Sequence, residues 1–343
     1  MELTVTTLNC WSGLDYKGLL KMGYMEPKAC LQLRQAALLK ELASLDTSIL
    51  FLNEINPTPA FIKKIATNVG MDYIYHLGVG GLRYRNIGLP INLRESDGIF
   101  ARAELELKNL KRASLLRSGF VCNQVCCHIA DHTQAVLGTV KILGKDIYLC
   151  CVHLHAVPDY DYYASCDLEK LGKSLGYSFK SIKKGYIDLK KAKAIKAKEI
   201  NRLVEFLKKQ VPSGAPLIVA GDFNADKNWR ELLPLQNFGL VDIYDYAGIK
   251  EIYPTWNPDA NQNLKSYYTP ASKLHYKKFY DKLHALDELR PRAIDYIFIK
   301  NFEGLNLQVD ELKLFGTENL FTYGGEAFPI SDHYGILAKL QVG

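Results

Sequence analysis

Several features that would each fix a function are missing from these 343 residues. No G-x-x-x-x-G-K-[ST] loop is present, which excludes a P-loop nucleotide hydrolase. No G-x-S-x-G elbow is present, which argues against a serine hydrolase. Asp222-Phe223 is followed by Asn224 and not by glycine, so the kinase signature is missing too. The eight cysteines show no C-x-x-C zinc spacing. No run reaches the ~18 apolar residues that a membrane span needs. Met1-Glu2-Leu3-Thr4-Val5 leads directly into a strand pattern, with no basic segment and apolar core ahead of it, so no secretory leader is readable. The expectation is a soluble chain, cytoplasmic or secreted by a signal not legible here, and free to touch a membrane from outside.

What is present suits a folded domain. Hydrophobic residues make up 48% of the chain and charged residues 23%, enough to bury a full core. The formal charge is a mild +6. Much of the excess lies between Lys180 and Lys198, at Lys183, Lys184, Lys190, Lys191, Lys193 and Lys196. Such a stretch attracts polyanions or anionic membranes, and it equally describes a solvated helix face. Cys126-Cys127 and Cys150-Cys151 are adjacent pairs in apolar runs. Neighbours on a strand point to opposite faces, so each pair is expected to send one reduced thiol inward.

Hydrophobic periodicity orders the chain. Strands are expected at Leu3 to Leu8, Ser48 to Leu52, Tyr73 to His76 and Gly98 to Ala101. Val136 to Leu143 and Asp146 to His153 form a hairpin through Gly144-Lys145. Pro216 to Ala220, Ala293 to Ile299 and Gly335 to Gln341 complete the strands. Helices are expected at Cys30 to Leu45, Ala60 to Val69 and Leu189 to Gln210, the last with Ile195, Leu203 and Phe206 on one face. Gly78 to Pro90 reads as a loop. No repeat and no Pro/Ser-rich linker divides the chain. Residues 1–343 are therefore expected to be one domain of packed sheets and helices, with inserts near 159–186 and 257–289.

The residues suited to chemistry end or follow short apolar runs: Asn9, Glu54, His153, Asp222, Asn224, Asp295, Asp332 and His333. If the runs are neighbouring strands, their ends meet at one pocket. A buried acid such as Glu54 is costly unless it is paired or binds metal, and a carboxylate with an Asn partner suits Mg²⁺ or Mn²⁺. A helix-capping role is the plainer reading of Glu54 alone. Alternation turns Asp222 and Asn224 to one side. Asp222 would activate water and Asn224 would donate to a phosphoryl oxygen, or the pair closes the strand as an Asx turn. A His333 held by a carboxylate has a fixed tautomer and a raised pKa. His153 and His155 flank Leu154 and share a face, fit for zinc or for a phosphate.

Together these pieces resemble the deoxyribonuclease I-like endonuclease/exonuclease/phosphatase superfamily. The resemblance rests on Leu8-Asn9, Asn53-Glu54, His153, Gly221-Asp222-Phe223-Asn224, Ile294-Asp295-Tyr296 and Ser331-Asp332-His333, in family order across nearly the whole chain. It implies a four-layer α/β/β/α sandwich of two mixed sheets flanked by helices, with the site at one edge. It implies Mg²⁺ held by Glu54 with Asn9 and Asp332, and Mn²⁺ as the alternative cofactor. It also implies His333 as acid–base, oriented by Asp295. Asp222 would act on water, His153 and Asn224 on the phosphate, and His155 on the substrate. Asn9-Cys10-Trp11 and His153-Leu154-His155-Ala156 resemble the neutral sphingomyelinase branch in particular. That branch implies a phospholipase C-type cut at a phospholipid headgroup on a membrane surface. Two departures stand out. Asn53 occupies the place of a usual Gln or Glu, and Lys193 and Lys196 stand near a usual Arg and Gln.

A DNA or RNA nuclease is the runner-up, with lysines tracking the phosphate backbone and tyrosines stacking on bases. A phosphoinositide phosphatase would use Arg83, Arg85 and Arg94 to grip extra phosphates. A non-catalytic binding module would be expected to have lost a site residue, and every motif residue is present.

Overall fold

The computed structural model describes residues 1–15, 24–77, 83–84, 87–88, 95–116, 121–122, 127–128, 133–265 and 278–343. Two six-stranded mixed sheets face each other. In chain order the first half supplies β1 (Glu2–Asn9), α1 (Lys28–Ser44), β2 (Ile49–Ile55), α2 (Ala60–Val69), β3 (Met71–Leu77) and β4 (Ser96–Arg102). Then follow β5 (Lys108–Ser114), β6 (Gln134–Ile142), β7 (Lys145–His153), α3 (Tyr160–Ser165), α4 (Leu168–Ser174), α5 (Phe179–Gln210) and β8 (Leu217–Asp222). The chain closes with β9 (Val241–Asp242), α6 (Phe279–Asp287), β10 (Asp295–Lys300), β11 (Gln308–Phe315) and β12 (Gly335–Gln341). The first sheet runs β11-β12-β1-β2-β4-β3 and the second β9-β10-β8-β7-β6-β5.

Strand parity creates the layers. Leu3, Val5, Ile49 and Phe51 of the first sheet meet Leu149, Cys151, Ile218, Ala220 and Ile297 of the second in one inner core. The alternate residues Leu50 and Leu52 turn outward onto Leu38 and Leu42 of α1 and Ile62 and Ile65 of α2. On the far side Cys150, Val152 and Val219 turn outward onto Ile200, Leu203 and Leu207 of α5. Burial on both faces is why residues 49–52 and 217–220 read as unbroken hydrophobic runs, whereas β1 carries the buried Thr4, Thr6 and Thr7 between Leu3, Val5 and Leu8. The expected four-layer α/β/β/α arrangement is the one observed.

Three expectations change. Cys150 and Cys151 are both fully buried, because the strand has a packed layer on each side. Cys126 lies outside the described residues. The insert near 159–186 is helical: it comprises α3, α4 and the first two turns of α5. Its polar composition hid this: its buried hydrophobic side chains are Tyr163, Leu168 and Ile182, packed with Leu189, Phe279 and Leu283, and Gly172 and Gly185 are buried beside them. Helix α5 therefore starts ten residues before the expected Leu189, at Phe179, and Ile195 is 38% exposed instead of packed. The insert near 257–289 carries α6, and its residues 266–277 lie outside the described residues. So do most of Gly78 to Pro90; the segments at 83–84 and 87–88 pair with each other.

Backbone geometry is most constrained at the end of β8. Gly221 has φ +136°, and a Cβ there would stand 2.0 Å from the Val152 carbonyl oxygen. Gly144, in the β6–β7 turn at φ +76°, has nothing within 4 Å of its missing Cβ. Gly144→Ala is expected to cost about 1 kcal/mol, the strain of positive φ alone. Gly221→Ala is expected to cost more than ~2 kcal/mol, since the strands must also part. Urea unfolding of the two variants checks this; equal costs would contradict it.

Candidate active site

Register assembles the site. β7 and β8 are parallel with His153 opposite Asp222, and β8 and β10 are antiparallel with Asp222 opposite Asp295. Three ionisable residues thus stand in a row across three adjacent strand ends. In the facing sheet, β1 and β2 are parallel with Asn9 opposite Asn53. Glu54 follows at φ +53°, a left-handed turn that ends the regular pairing and tips its carboxylate toward the second sheet.

The two edges are stitched by carboxamides. Asn9 Nδ2 donates to Glu54 Oε1 and to Asp222 Oδ2, both at 3.0 Å. Asn53 Nδ2 donates to Asp97 Oδ1 at 2.9 Å and to the Val152 carbonyl at 3.0 Å, and its Oδ1 accepts from the Asp222 amide at 3.0 Å. The Ser12 amide donates to Glu54 Oε2 at 2.9 Å. Asn224, at φ +47°, donates its amide to Asp222 Oδ1 at 2.8 Å. Its Nδ2 donates to Asp222 Oδ2 at 3.1 Å and to the Leu154 carbonyl at 2.9 Å. The Asx turn and the site are thus one feature. Asp222 and Asn224 come together through this turn and not through strand alternation, because β8 ends at Asp222.

Two histidines sit in carboxylate cages. His333 Nδ1 lies 2.8 Å from Asp295 Oδ2, and its Nε2 faces Asp222 Oδ2 at 3.9 Å. The Trp256 ring packs edge-on against it with centroids 5.1 Å apart. Burial disfavours the imidazolium, but Asp295 and then Asp222 outweigh it and raise His333 to about 10. His153 is 3.5 Å from Asp97 Oδ1 through Nδ1, and 3.9 and 3.8 Å from Glu54 and Asp222 through Nε2. Burial again opposes its charge, and Asp97 with Asp222 and Glu54 raises it well above the ordinary range. Burial and the neighbouring Asp295 lift Asp222 to about 6 against the pull of both histidines. Burial would raise Glu54 as well, but His153, Asn9 and Ser12 hold it below the usual carboxylate value.

The donor set fits a divalent cation. Glu54, Glu95 and His153 each offer a ligand atom within 4.8 Å of the others, as do Asp222, Asp295 and His333. Glu95 is pushed far up by burial and by the charge of Glu54, as expected for carboxylates that share one site. Asp97 Oδ2 and Asp295 Oδ1 are buried with no hydrogen-bond partner among the described residues. Oxygen-rich crowding of this kind suits Mg²⁺ or Mn²⁺.

One buried cation from each helical layer holds the loops. Arg34 of α1 pairs with Glu26 and donates to the carbonyls of Cys10 at 2.7 Å and Trp11 at 3.1 Å, just before Ser12. Lys196 of α5 donates to the carbonyls of His155 and, at 2.9 Å, Phe223, beside its partner Glu199. Lys196 is therefore fully buried, which removes it from the expected basic surface.

The expected residues Asn9, Glu54, His153, Asp222, Asn224, Asp295 and His333 converge. Asp332 is buried beside them with its Oδ1 near Ser331 Oγ at 3.2 Å, and belongs to neither three-donor group. The strand ends at His153, so the shared-face argument does not extend to the half-buried His155. Sequence reasoning missed Glu95, Asp97, Asn53, Trp256 and the Lys196–Glu199 pair. Glu95-Ser96-Asp97 abuts the run Gly98 to Ala101 just as Asn53-Glu54 ends its own, so that signal was available. The orienting role of Asn53 explains the departure from Gln or Glu: a shorter amide reaches Asp97, Val152 and Asp222 together. Arg83 lies outside the described side chains, and Arg85 and Arg94 outside the described residues.

Comparison with known proteins agrees with this geometry. A model of the Endonuclease/Exonuclease/phosphatase family matches residues 191–333. The fold is shared with D. rerio TDP2 complexed with single strand DNA product (19% identity, 99% of both chains, TM-score 0.56). It is shared with the human Nocturnin catalytic domain with bound sulfate (14% identity, 100% of this chain and 94% of that one, TM-score 0.57). It is shared also with an endonuclease/exonuclease/phosphatase family protein of Bacteroides thetaiotaomicron (15% identity, 99% and 97%, TM-score 0.56). The superfamily resemblance carried by the motifs is thereby borne out.

The charged state of His333 is a stability statement. Its folded pKa lies above the ordinary 6.5, so the contribution is complete below about pH 6.5 and is lost as pH rises through about 10. In the metal-free protein its ring resonances are expected to titrate near 10. In Asp295→Asn, with Asp222 and Asp332 left as the charges that oppose burial, the midpoint is expected to fall by about two pH units. An unchanged midpoint would contradict the pairing.

Proposed function

We propose that this chain, built on the endonuclease/exonuclease/phosphatase fold, is a divalent-metal-dependent hydrolase that cleaves a phosphate ester by in-line attack of an activated water. The observation that carries the reading is the row His153–Asp222–Asp295 across three strand ends, closed by His333 at 2.8 Å from Asp295 and 3.9 Å from Asp222.

The roles follow from the charge states. A carboxylate near 6 is ionised at neutral pH yet still accepts a proton, so Asp222 orients and deprotonates the water. Asn9 and Asn224 hold its two oxygens in place for that task. His333, kept protonated by Asp295, faces the same carboxylate and donates to the phosphoryl group or the leaving oxygen. His153, cationic among Asp97, Glu54 and Asp222, binds a second phosphoryl oxygen, with Asn224 beside it. Glu54 and Glu95 would hold Mg²⁺ or Mn²⁺, with Asn9 and Asp332 next to them. The chemistry supplied by the bound ion is neutralisation of charge developing on the phosphate oxygens. We read residues 1–343 as one catalytic unit, since both sheets are needed to complete the site.

For the substrate we favour a phospholipid headgroup cut in the manner of a phospholipase C. The supports are the Asn9-Cys10-Trp11 and His153-Leu154-His155-Ala156 segments that resemble neutral sphingomyelinases, and on that resemblance we read His155 as a headgroup contact. Nucleic acid is the second reading, favoured by the likeness to a TDP2 structure that holds a DNA product.

Sphingomyelin vesicles, supercoiled plasmid and phosphoinositides, each with Mg²⁺ and with EDTA, separate the readings. Release of phosphocholine that EDTA abolishes is the expected result; nicking alone would move the substrate to nucleic acid and leave the chemistry standing. Asp222→Asn and His333→Ala are each expected to lower turnover by more than about 100-fold, ~2.7 kcal/mol in the barrier, with the fold intact by circular dichroism. Retention of more than a tenth of the rate would contradict the roles. Glu54→Gln is expected to raise the Mg²⁺ concentration for half-activation at least about tenfold, and an unchanged value would remove Glu54 from the metal shell.

A further inference from the structure

Helix α5 has two halves with different surroundings. From Ala192 onward its inner face packs on the second sheet, with Lys196 at the level of the site loops. Before that, Ile182 and Leu189 pack on Tyr163, Leu168, Phe279 and Leu283 of α3, α4 and α6, in a cluster of their own. Phe179 stands 17 residues before Lys196, roughly 25 Å along the axis at 1.5 Å per residue. The helix runs from Lys196, beside the strand ends, toward Leu207, in the same core as Leu217, which opens β8 at the opposite end of the sheet. Its first half therefore rises past the edge where the site lies, as a wall beside it.

The outer face of that wall is unusual. Between Lys170 and Lys198 there are ten lysines, of which Lys196 is buried, and one acid, Asp188. On α5 the exposed residues Phe179, Lys180, Lys183, Lys184, Ile187, Lys190, Lys191, Ile195 and Lys198 fall within an arc of roughly 160° at 100° per residue. Phe179 is 62% exposed, Ile187 45% and Leu175, at the end of α4, 38%. The acids of the insert do not neutralise this face. Asp159 and Asp167 cap α3 and α4, Asp161 binds Lys193, and Glu169 binds Lys173 of α4. Lys180, Lys183 and Lys198 meet no carboxylate among the described residues, whereas Lys184 and Lys191 share Asp188.

We propose that this face of α5, with Leu175 and Phe179 at its tip, docks the protein on an anionic lipid bilayer and so sets the neighbouring site against the membrane. Lysine ammonium groups meet lipid phosphates and carboxylates while the interleaved Phe179, Ile187 and Leu175 enter the headgroup layer. A nucleic-acid groove would reward the lysines but leave these apolar side chains in water, and the face carries no arginine to stack or fork on bases and phosphates. The proposal does not depend on the lipid-substrate reading, because it is read out by binding and not by turnover.

The full chain is sedimented with vesicles of pure phosphatidylcholine and with vesicles containing 30 mol%, a chosen composition of about one-third, phosphatidylserine. Binding to the serine-containing vesicles only, weakened by salt, is expected. Lys180→Gln with Lys183→Gln should weaken it about 30-fold, and Phe179→Ser about fivefold or more. Both changes are on exposed side chains, so thermal melting and hydrolysis of a soluble phosphodiester should stay at wild-type values. Absence of binding, equal binding to both vesicles, or insensitivity to Phe179→Ser would overturn the proposal. So would single-stranded DNA binding that the lysine pair controls and the vesicles do not match. Loss of hydrolysis with vesicle binding intact would count against the catalytic reading alone.

Discussion

The molecule is organised around the cost of burying like charge. Glu54, Glu95, Asp97, Asp222, Asp295 and Asp332 reach one water-poor edge, and among the described residues His153 and His333 oppose them within the cluster, with Arg34 and Lys196 buried behind it. Such a cluster would expel itself unless every carboxylate had a donor. The carboxamides of Asn9, Asn53 and Asn224 answer this within the site, each donating to one or two acids. What remains uncompensated is an excess of oxygen charge in a small volume, which a divalent cation and a phosphate together would complete.

The rest of the fold serves to keep that edge in register. Two sheets must bring parallel strand ends to the same level from opposite sides, and two helical layers must fix the loops that follow. Arg34 and Lys196 do this in the same manner from opposite layers, each buried and each gripping carbonyls of two segments next to the site. Burial and the nearby charges leave Lys196 at about 8, lower than a surface lysine. Because the side chain that holds the loops is itself a titrating group, the precision of the second sheet's loops is tied to pH in a way that of the Arg34 side is not.

Most of the framework was legible because it is governed by local pattern. Residues 49–52 and 217–220 are apolar on both faces, and Leu3, Val5 and Leu8 mark β1 despite the threonines between them. Seven candidate residues that the structure brings together were picked out by one rule, that a polar residue bounding a buried strand needs a reason. The same rule reaches Asp97, which abuts the run from Gly98 to Ala101 as Asp295 abuts its own. Helix α5 was read ten residues short because its first half buries few side chains and faces water with lysine. Lys196 was read as surface because burial of a lysine is decided by what lies across from it, His155 and Phe223, which are distant in sequence. Nothing local marks Trp256 as the neighbour of His333.

The stereochemistry of the reaction tests the central claim most directly. With the ester that the protein hydrolyses prepared as a single phosphorothioate diastereomer and cleaved in ¹⁸O-labelled water, a single in-line attack by a water on Asp222 predicts inversion at phosphorus and one labelled oxygen in the product. Retention would mean two displacements through a covalent enzyme intermediate, and would contradict the assignment of Asp222 and His333 to an activated water.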